Sequence, residues 1–424
     1  MKKKGTLYII LKSGVRMHYI ARQLERKFLH MNSFFKAVLV TGARQVGKTT
    51  MLRHLAKGQE RTYVTMDDLA VRTLAQTDPA LFFQRFRPPM IIDEIQKAPE
   101  LFDQIKIICD ESEDTGLFWL TGSQQYGMMQ RVRESLAGRI GILQLYSLSR
   151  NEIDEVTFPN ALDFSLPCLL ERQAIASKNN LLTTFDYIWR GGMPQVQQAD
   201  GEMRQEYYNS YVDTYLMRDV AEAGGITDVV RFRKFLQACA ALVAEQVNYK
   251  TLAEAAEISQ PTAKEWLRVL QGLGIIYLLM PYANNELKRL SKTPKLYFCD
   301  TGLCAYLSMW LTRDTLMNGA VSGHYYENYV VMELVKHYAY APEKANITYY
   351  RDANSKEIDL LIEENQIVHP IEIKKSANPD RREIKKYLFL DKAALQRGAG
   401  GVICMCQDVL PIDEKNCLIP SNLI

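Results

Sequence analysis

The chain has 424 residues, enough for about three domains of ordinary size, each able to bury its own core without disulfides or metal. Apolar residues make up 47% and charged residues 24%, which excludes collagen-like, disordered and disulfide-scaffold classes. The net charge of +3 is too small to announce a polyanionic partner, so any electrostatic argument has to be local.

Residues 1–30 carry eight basic groups, Lys2, Lys3, Lys4, Lys12, Arg16, Arg22, Arg26 and Lys27, against one acid, Glu25. Residues 1–16 fit no element and read as an N-terminal extension of uncertain role, with Met17 as an alternative start. The apolar stretch Leu7 to Leu11 is too short for a signal-peptide core, and no small-residue cleavage site follows. The longest apolar stretch, Gly274 to Ala283, is far below the ~20 residues needed to span a bilayer. The expectation is a cytoplasmic protein without a membrane segment. Its eight cysteines (Cys109, Cys168, Cys239, Cys299, Cys304, Cys404, Cys406 and Cys417) are scattered without a CxxC pair, which suits reduced, buried thiols.

After Met17, Ile20, Leu24 and Phe28 recur at four-residue spacing and predict an amphipathic helix. Between Ala37 and Tyr146 the apolar runs AVLVT, RTYVT, PMIIDE, LFWLT and ILQLY alternate with helical patterns of about 15 to 25 residues. That alternation predicts an α/β domain over 17–155, a parallel sheet with helices on both faces. Residues 156–246 read as helical, with a break at Gly191-Gly192-Met193-Pro194. Tyr207, Tyr208, Tyr211 and Tyr215 form an aromatic helix face, read as core in preference to a stacking platform for bases. Residues 247–310 follow a different order: helix, turn at Ser259-Gln260-Pro261, helix, then the strands IIYLLM and KLYFC, which reads as a winged helix-turn-helix. Residues 311–424 open with the helical run YYENYVVMELVKHY and continue through ITYYR, EIDLLIE, IVHPIEIK, a basic helix near 381–390 and GVICMC, a further α/β domain.

The string Gly42-Ala43-Arg44-Gln45-Val46-Gly47-Lys48-Thr49 is a GxxxxGK[ST] loop placed directly after a predicted strand and before a helix. Its glycines let backbone amides turn toward a β-phosphate, and the helix N-terminus adds its positive end. Lys48 is expected on the β- and γ-phosphates, Thr49 on Mg²⁺, and Thr50 beside it. Asp93, ending the third apolar run, is expected to hold Mg²⁺ through water, and Glu94 to polarise the attacking water. Thr121 and Ser123 stand where a γ-phosphate sensor would, and Arg131, Arg133 and above all Arg139 are candidates for a charge-neutralising arginine.

The set ARQLE (21–25), TGARQVGKTT (41–50), IIDEIQKAP (91–99), LTGSQ (120–124), SLAGR (135–139) and GGMPQV (191–196) resembles a large prokaryotic family of AAA-like, STAND-related P-loop ATPases followed by a conserved domain of unknown function. The similarity runs from about Met17 to about Ser376. It implies ATP as the nucleotide, since no guanine-reading NKxD follows the sheet. It also implies nucleotide contacts from Arg22 and from Gly192-Met193-Pro194.

The resemblance further implies a PD-(D/E)xK nuclease-like, restriction-endonuclease-like fold at the end of the chain. That chemistry needs two acids on adjacent strands to hold Mg²⁺, with a lysine two residues on. Asp359 and Glu372-Ile373-Lys374 have that arrangement, and the i, i+2 spacing puts Glu372 and Lys374 on one face. Glu327 matches the family's helix glutamate, whereas Ile358 stands where the motif has proline. E-x-K alone says little, for it recurs at Glu25-Lys27, Glu286-Lys288 and Glu383-Lys385 without an apolar strand. Three readings stay open: ordinary strand charges, a nuclease-like site that binds without cutting, and an active nuclease. Arg381, Arg382, Lys385 and Lys386 on one helix face suit a phosphate backbone. In the second helix and wing the candidates are Lys264, Arg268, Lys288, Arg289, Lys292 and Lys295, with intramolecular packing as the rival.

The expected protein is therefore an ATP-hydrolysing switch, using ATP and Mg²⁺ and acting on nucleic acid, DNA ahead of RNA, with a possible Mg²⁺-dependent nuclease activity. A switch with a catalytically inactive binding module and a winged-helix transcriptional regulator are the rivals. Oligomeric state is not legible.

Overall fold

All five apolar runs of the first third become strands: β1 (Ala37–Thr41), β2 (Thr62–Thr65), β3 (Met90–Asp93), β4 (Phe118–Gly122) and β5 (Ile140–Gln144). A computed structural model describes residues 19–122, 126–282, 293–352, 356–388, 390 and 395–424. The strands pair parallel in the order β2-β3-β4-β1-β5. The three inner strands are buried at every position, as a sheet covered on both faces demands, while the edge strands β2 and β5 are partly exposed. Alternation along the strands feeds two cores. Val38, Val40, Ile91 and Trp119 face one, and Leu39, Ile92 and Leu120 face the other.

Helices follow at Leu181–Arg190, Gly201–Ser210, Met217–Gly224 and Val229–Ala241, with a π-helical segment, Tyr211–Leu216, between the second and third. Tyr208 and Tyr211 are buried, Tyr207 and Tyr215 pack partly buried beside them, and the Tyr207 and Tyr211 rings stack. These tyrosines are core. Two capped helices, Tyr249–Ala256 and Gln260–Gly272, lead into an antiparallel hairpin of β6 (Ile276–Leu279) and β7 (Lys295–Phe298). Lys288, Arg289 and Lys292 lie outside the described residues, as does the stretch 1–16.

The last part is built around one long helix, Ser322–Tyr340, buried over most of its length. It packs on a seven-stranded mixed sheet of β8 (Asn346–Arg351), β9 (Glu357–Glu364), β10 (Ile367–Lys374), β11 (Gln396–Arg397), β12 (Gly400–Cys404), β13 (Leu410–Pro411) and β14 (Asn416–Pro420). β9 and β10 pair antiparallel across a turn at Asn365-Gln366, both with positive φ. The basic segment expected as an α-helix is a 3-10 helix, Arg381–Tyr387. At three residues per turn its four cations cannot share one face, which corrects that expectation. The sheet's inner residues Leu360, Ile362, Ile371, Ile373 and Ile403 join the core that also holds Val38, Val40 and Trp119. All eight cysteines are buried and free, and no described helix is long and apolar enough to cross a membrane.

Candidate functional site

The loop after β1 is shaped by two glycines with positive φ, Gly42 at 144° and Gly47 at 98°. A Cβ on Gly42 would lie 2.1 Å from the Leu145 carbonyl oxygen, so no other residue fits there. The helix Lys48–Leu55 starts directly behind Gly47. Lys48 is buried, and its Nζ donates to the Gly42 and Ala43 carbonyls at 2.9 and 2.8 Å. Burial pulls its pKa down, and the charges of Glu94 and Asp93 act against that. Arg44 leaves the loop to pair with Asp219 on the helix Met217–Gly224 at 2.6 Å. Gln45 takes a positive φ of 62°, Val46 is buried, and Thr50 is exposed on the helix.

Asp93 ends β3 beside the loop. Its Oδ1 accepts from Thr49 Oγ1 at 2.6 Å and from Thr121 Oγ1, and its Oδ2 accepts from Tyr63 at 3.1 Å. Three neutral hydroxyls thus orient the carboxylate without cancelling its charge, which fits a site for Mg²⁺ completed by phosphate oxygens. Glu94 takes the left-handed conformation, φ 56°, its N–H donating to Thr121 Oγ1 at 3.0 Å and its carboxylate accepting from Gln96. Tyr63 and Asp219 were not among the sequence candidates. Neither has a local signal: the tyrosine lies two strand positions before Thr65, the partner of Asp93, and the aspartate follows a tyrosine-rich helix.

Arg22 and the Gly192-Met193-Pro194 turn do converge on the loop. A Cβ on Gly47 would lie 3.6 Å from Arg22 Nη1 and 3.8 Å from Pro194 Cγ. Arg22 is buried and bonded to protein: Nη1 to the Val46 carbonyl at 2.7 Å, Nη2 to the Tyr146 carbonyl at 2.7 Å, and Nε to Glu152 at 3.1 Å. The turn is locked by Gly192, whose N–H donates to Asp300 and whose carbonyl accepts from Leu148 N–H.

Arg139 is elsewhere. Its carbonyl accepts from Ala37 N–H, so it marks the start of β1, whereas the P-loop follows the other end, ~16 Å away for five strand residues. Its guanidinium pairs with Asp110. Within one chain it cannot reach the phosphates, which corrects its placement in the site. Arg131 is exposed on the helix Tyr126–Leu136, while Ser123 and the Arg133 side chain lie outside the described residues.

In the C-terminal sheet Asp359 and Glu372 stand side by side on neighbouring strands and face the same way. Glu372 Oε1 accepts weakly from Asp359 N–H at 3.4 Å, and Asp359 Oδ2 accepts from Ile373 N–H at 2.8 Å. Cations already fill the space: Glu372 Oε2 lies 3.2 Å from Lys374 and 2.7 Å from Lys386, and Asp359 Oδ2 lies 3.8 Å from Lys374. Burial and then the charge of Asp359 push Glu372 up to about 8. Glu327 is turned aside to Lys295 at 3.0 Å and Tyr297 at 2.7 Å, its own pKa raised by burial and by Asp359. Among the described residues no three or more metal-ligating side chains cluster. Asp359, Glu372 and Lys374 come together as expected, whereas Glu327 is held by Lys295 and the added Lys386 stands where a divalent ion would approach Glu372. Lys295, expected to face nucleic acid, is buried between Glu327 and Glu357. Beside the pair opens a groove lined by Lys356, Glu357, Asp380, Arg382, Glu383, Lys385 and Lys386.

Residues 34–154 match the family model of an AAA domain, 182–314 a domain of unknown function (DUF8612), and 322–424 a second one (DUF4143). Uncharacterized protein Rv2008c of Mycobacterium tuberculosis and uncharacterized protein Mb2031c of Mycobacterium bovis are each 25% identical over 390 residues, 91% of this chain and 80% of theirs. Among solved structures, a Walker-type ATPase of Pyrococcus abyssi is similar at 13% identity and TM-score 0.43, covering 69% of this chain and 97% of that one. The Thermotoga maritima RuvB Holliday junction branch migration motor is similar at 17% identity and TM-score 0.30, covering 61% and 89%. The parallel sheet, the glycine-shaped loop and the family model together make residues 34–154 an AAA-type P-loop ATPase domain, followed at the C-terminal end by a further α/β sheet.

Proposed function

We propose that this chain is an ATP-hydrolysing switch acting on nucleic acid, DNA ahead of RNA, whose last domain is a nuclease-like module that binds without cutting. The reading divides the chain into an extension (1–16), the ATPase domain (17–155), a helical domain (156–246), a winged helix (247–310) and the nuclease-like domain (311–424). The observation that carries the ATPase half is Asp93 held by the hydroxyls of Thr49, Thr121 and Tyr63, next to the loop that carries Lys48. Lys48 would hold the β- and γ-phosphates once turned from its own loop, Thr49 and Asp93 would hold Mg²⁺, and Glu94 would orient water. A bound Mg²⁺ would supply charge neutralisation on the phosphate oxygens. Ser123 and Thr121 would sense the γ-phosphate, and Arg139 would act only on a nucleotide held by another copy.

Binding without cutting is favoured by the lysines seated on Glu372. The groove with Lys356, Arg382, Lys385 and Lys386 supports contact with phosphates, as do the exposed Lys264 and Arg268 of the helix Gln260–Gly272. The test is one preparation assayed for ATP turnover and for binding and cleavage of labelled duplex DNA and RNA with Mg²⁺ or Mn²⁺. ATP turnover with salt-sensitive DNA binding and no cleavage supports the reading. Metal-dependent cleavage lost in Asp359→Ala overturns its second half.

A further inference from the structure

We propose that Tyr340, the last residue of the long C-terminal helix, is a positioning residue for the nucleotide site, acting through Tyr146 and Arg22 on the P-loop. The inference rests on the ATPase reading above. Val46 C=O and Gly47 N–H belong to one rigid peptide plane, so whatever holds that carbonyl also aims that amide. What holds it is Arg22 Nη1 at 2.7 Å. The same guanidinium reaches the Tyr146 carbonyl through Nη2, and on the other side of Tyr146 the backbone N–H donates to the Tyr340 hydroxyl at 3.0 Å. Arg22, Tyr146 and Tyr340 are all buried, so water does not substitute for any of these bonds.

The relay is braced a second time. Lys27, five residues after Arg22, donates to the Ala339 and Ala341 carbonyls at 2.9 and 2.7 Å. A cation on the final carbonyls of a helix is favoured by its dipole, and here it ties the helix end to the segment that carries Arg22. Two steps further back along the helix, Lys336 donates to the Leu148 carbonyl at 3.0 Å and Glu333 accepts from Arg150 N–H at 2.8 Å. The segment leaving β5 thus takes its path from the C-terminal helix, and Arg22 takes its height under the P-loop from that segment. If the Tyr340 hydroxyl is removed, the buried Tyr146 N–H loses its acceptor, the Tyr146 peptide shifts, and the support under Val46 goes with it.

The test compares Tyr340→Phe with Tyr325→Phe in the full chain. Tyr325 lies on the same helix, is equally buried, and spends its hydroxyl on the Cys304 carbonyl at 3.3 Å, off the relay. Steady-state kinetics, thermal midpoint and hydrogen exchange of amides 43–47 are measured for both. Tyr340→Phe should raise KM for ATP by about 3- to 10-fold with kcat within about 2-fold, the signature of lost binding shared by ground and transition states, and should speed exchange in the loop. Tyr325→Phe should lower the midpoint and leave KM and loop exchange unchanged. Arg22→Lys, at the other end of the relay, should reproduce the KM effect and serves if Tyr340→Phe folds poorly. Equal KM shifts in both tyrosine variants, or a shift in neither, overturn the proposal. Wild-type protein that binds no ATP would overturn the ATPase reading itself, and is told apart because it appears before any variant is made.

Discussion

Asp93 and Glu372 are both buried acids on inner strands, and their partners differ in kind. Asp93 is met by the hydroxyls of Thr49, Thr121 and Tyr63, whereas Glu372 is met by the ammonium groups of Lys374 and Lys386. A hydroxyl orients a carboxylate and leaves its charge for an incoming cation; an ammonium group orients it and competes with an incoming cation for the same oxygens. The first centre keeps two oxygens ordered by neutral donors, and the second is met by cations of the protein itself. Motif spacing does not distinguish them, because both present acids where the pattern asks.

The comparison breaks most decisively at the P-loop. Lys48→Ala should abolish ATP turnover, and Glu94→Gln should keep nucleotide binding while lowering kcat by about 100-fold or more, checked by phosphate release and by binding of a fluorescent ATP analogue. Wild-type turnover in both would sink the assignment. In the C-terminal centre, Lys386→Met should lower unfolding free energy at pH 8.5, where Glu372 is ionised, by about 1–2 kcal/mol, since Lys386 is part-exposed and Lys374 remains on Glu372. The same protein should show no nucleotide-independent Mn²⁺ binding by calorimetry before that substitution, and saturable binding there would show the lysines to be displaceable.

The proton on Glu372 sharpens the contrast further. With its value raised to about 8 in the folded chain, the folded state holds a proton that the unfolded chain releases near 4.5, so this group's contribution to stability falls as pH rises between those values. Glu372→Gln has no proton to lose, and its thermal midpoint relative to wild type should climb from pH 5 to pH 8.5. The smallest effect is expected from Tyr63→Phe, which removes one of three donors on Asp93 and should raise the Mg²⁺ concentration for half-maximal turnover by about 2- to 5-fold at unchanged ATP binding.

The five strands of the first sheet were legible because each is a short apolar run in a covered parallel sheet, and the P-loop because its glycines and lysine are contiguous. The strands bearing Asp359 and Glu372 were legible as apolar runs too, although they pair antiparallel in a mixed sheet. What the sequence left hidden has long-range causes. Lys386 reaches Glu372 because the segment 381–387 winds as a 3-10 helix, and Lys295 is captured by Glu327 from 32 residues on. Arg139 read as a site residue because it follows a glycine near a strand, yet parallel pairing puts strand starts and strand ends on opposite edges. Tyr63 needed the register of β2 against β3, which no local pattern carries.

The three bonds that tie the segment after β5 to the long helix, Tyr146 to Tyr340, Leu148 to Lys336 and Arg150 to Glu333, span 194, 188 and 183 residues. Ribosomes add about 5–20 residues per second, so this segment waits roughly 10–40 s for its partners after it is made. Through that interval the first sheet can form, but the backbone beside the P-loop keeps buried-type polar groups unpaired. A nascent chain stalled before the long helix should therefore expose this stretch to proteases and chaperones, while the strands of the first sheet are already protected.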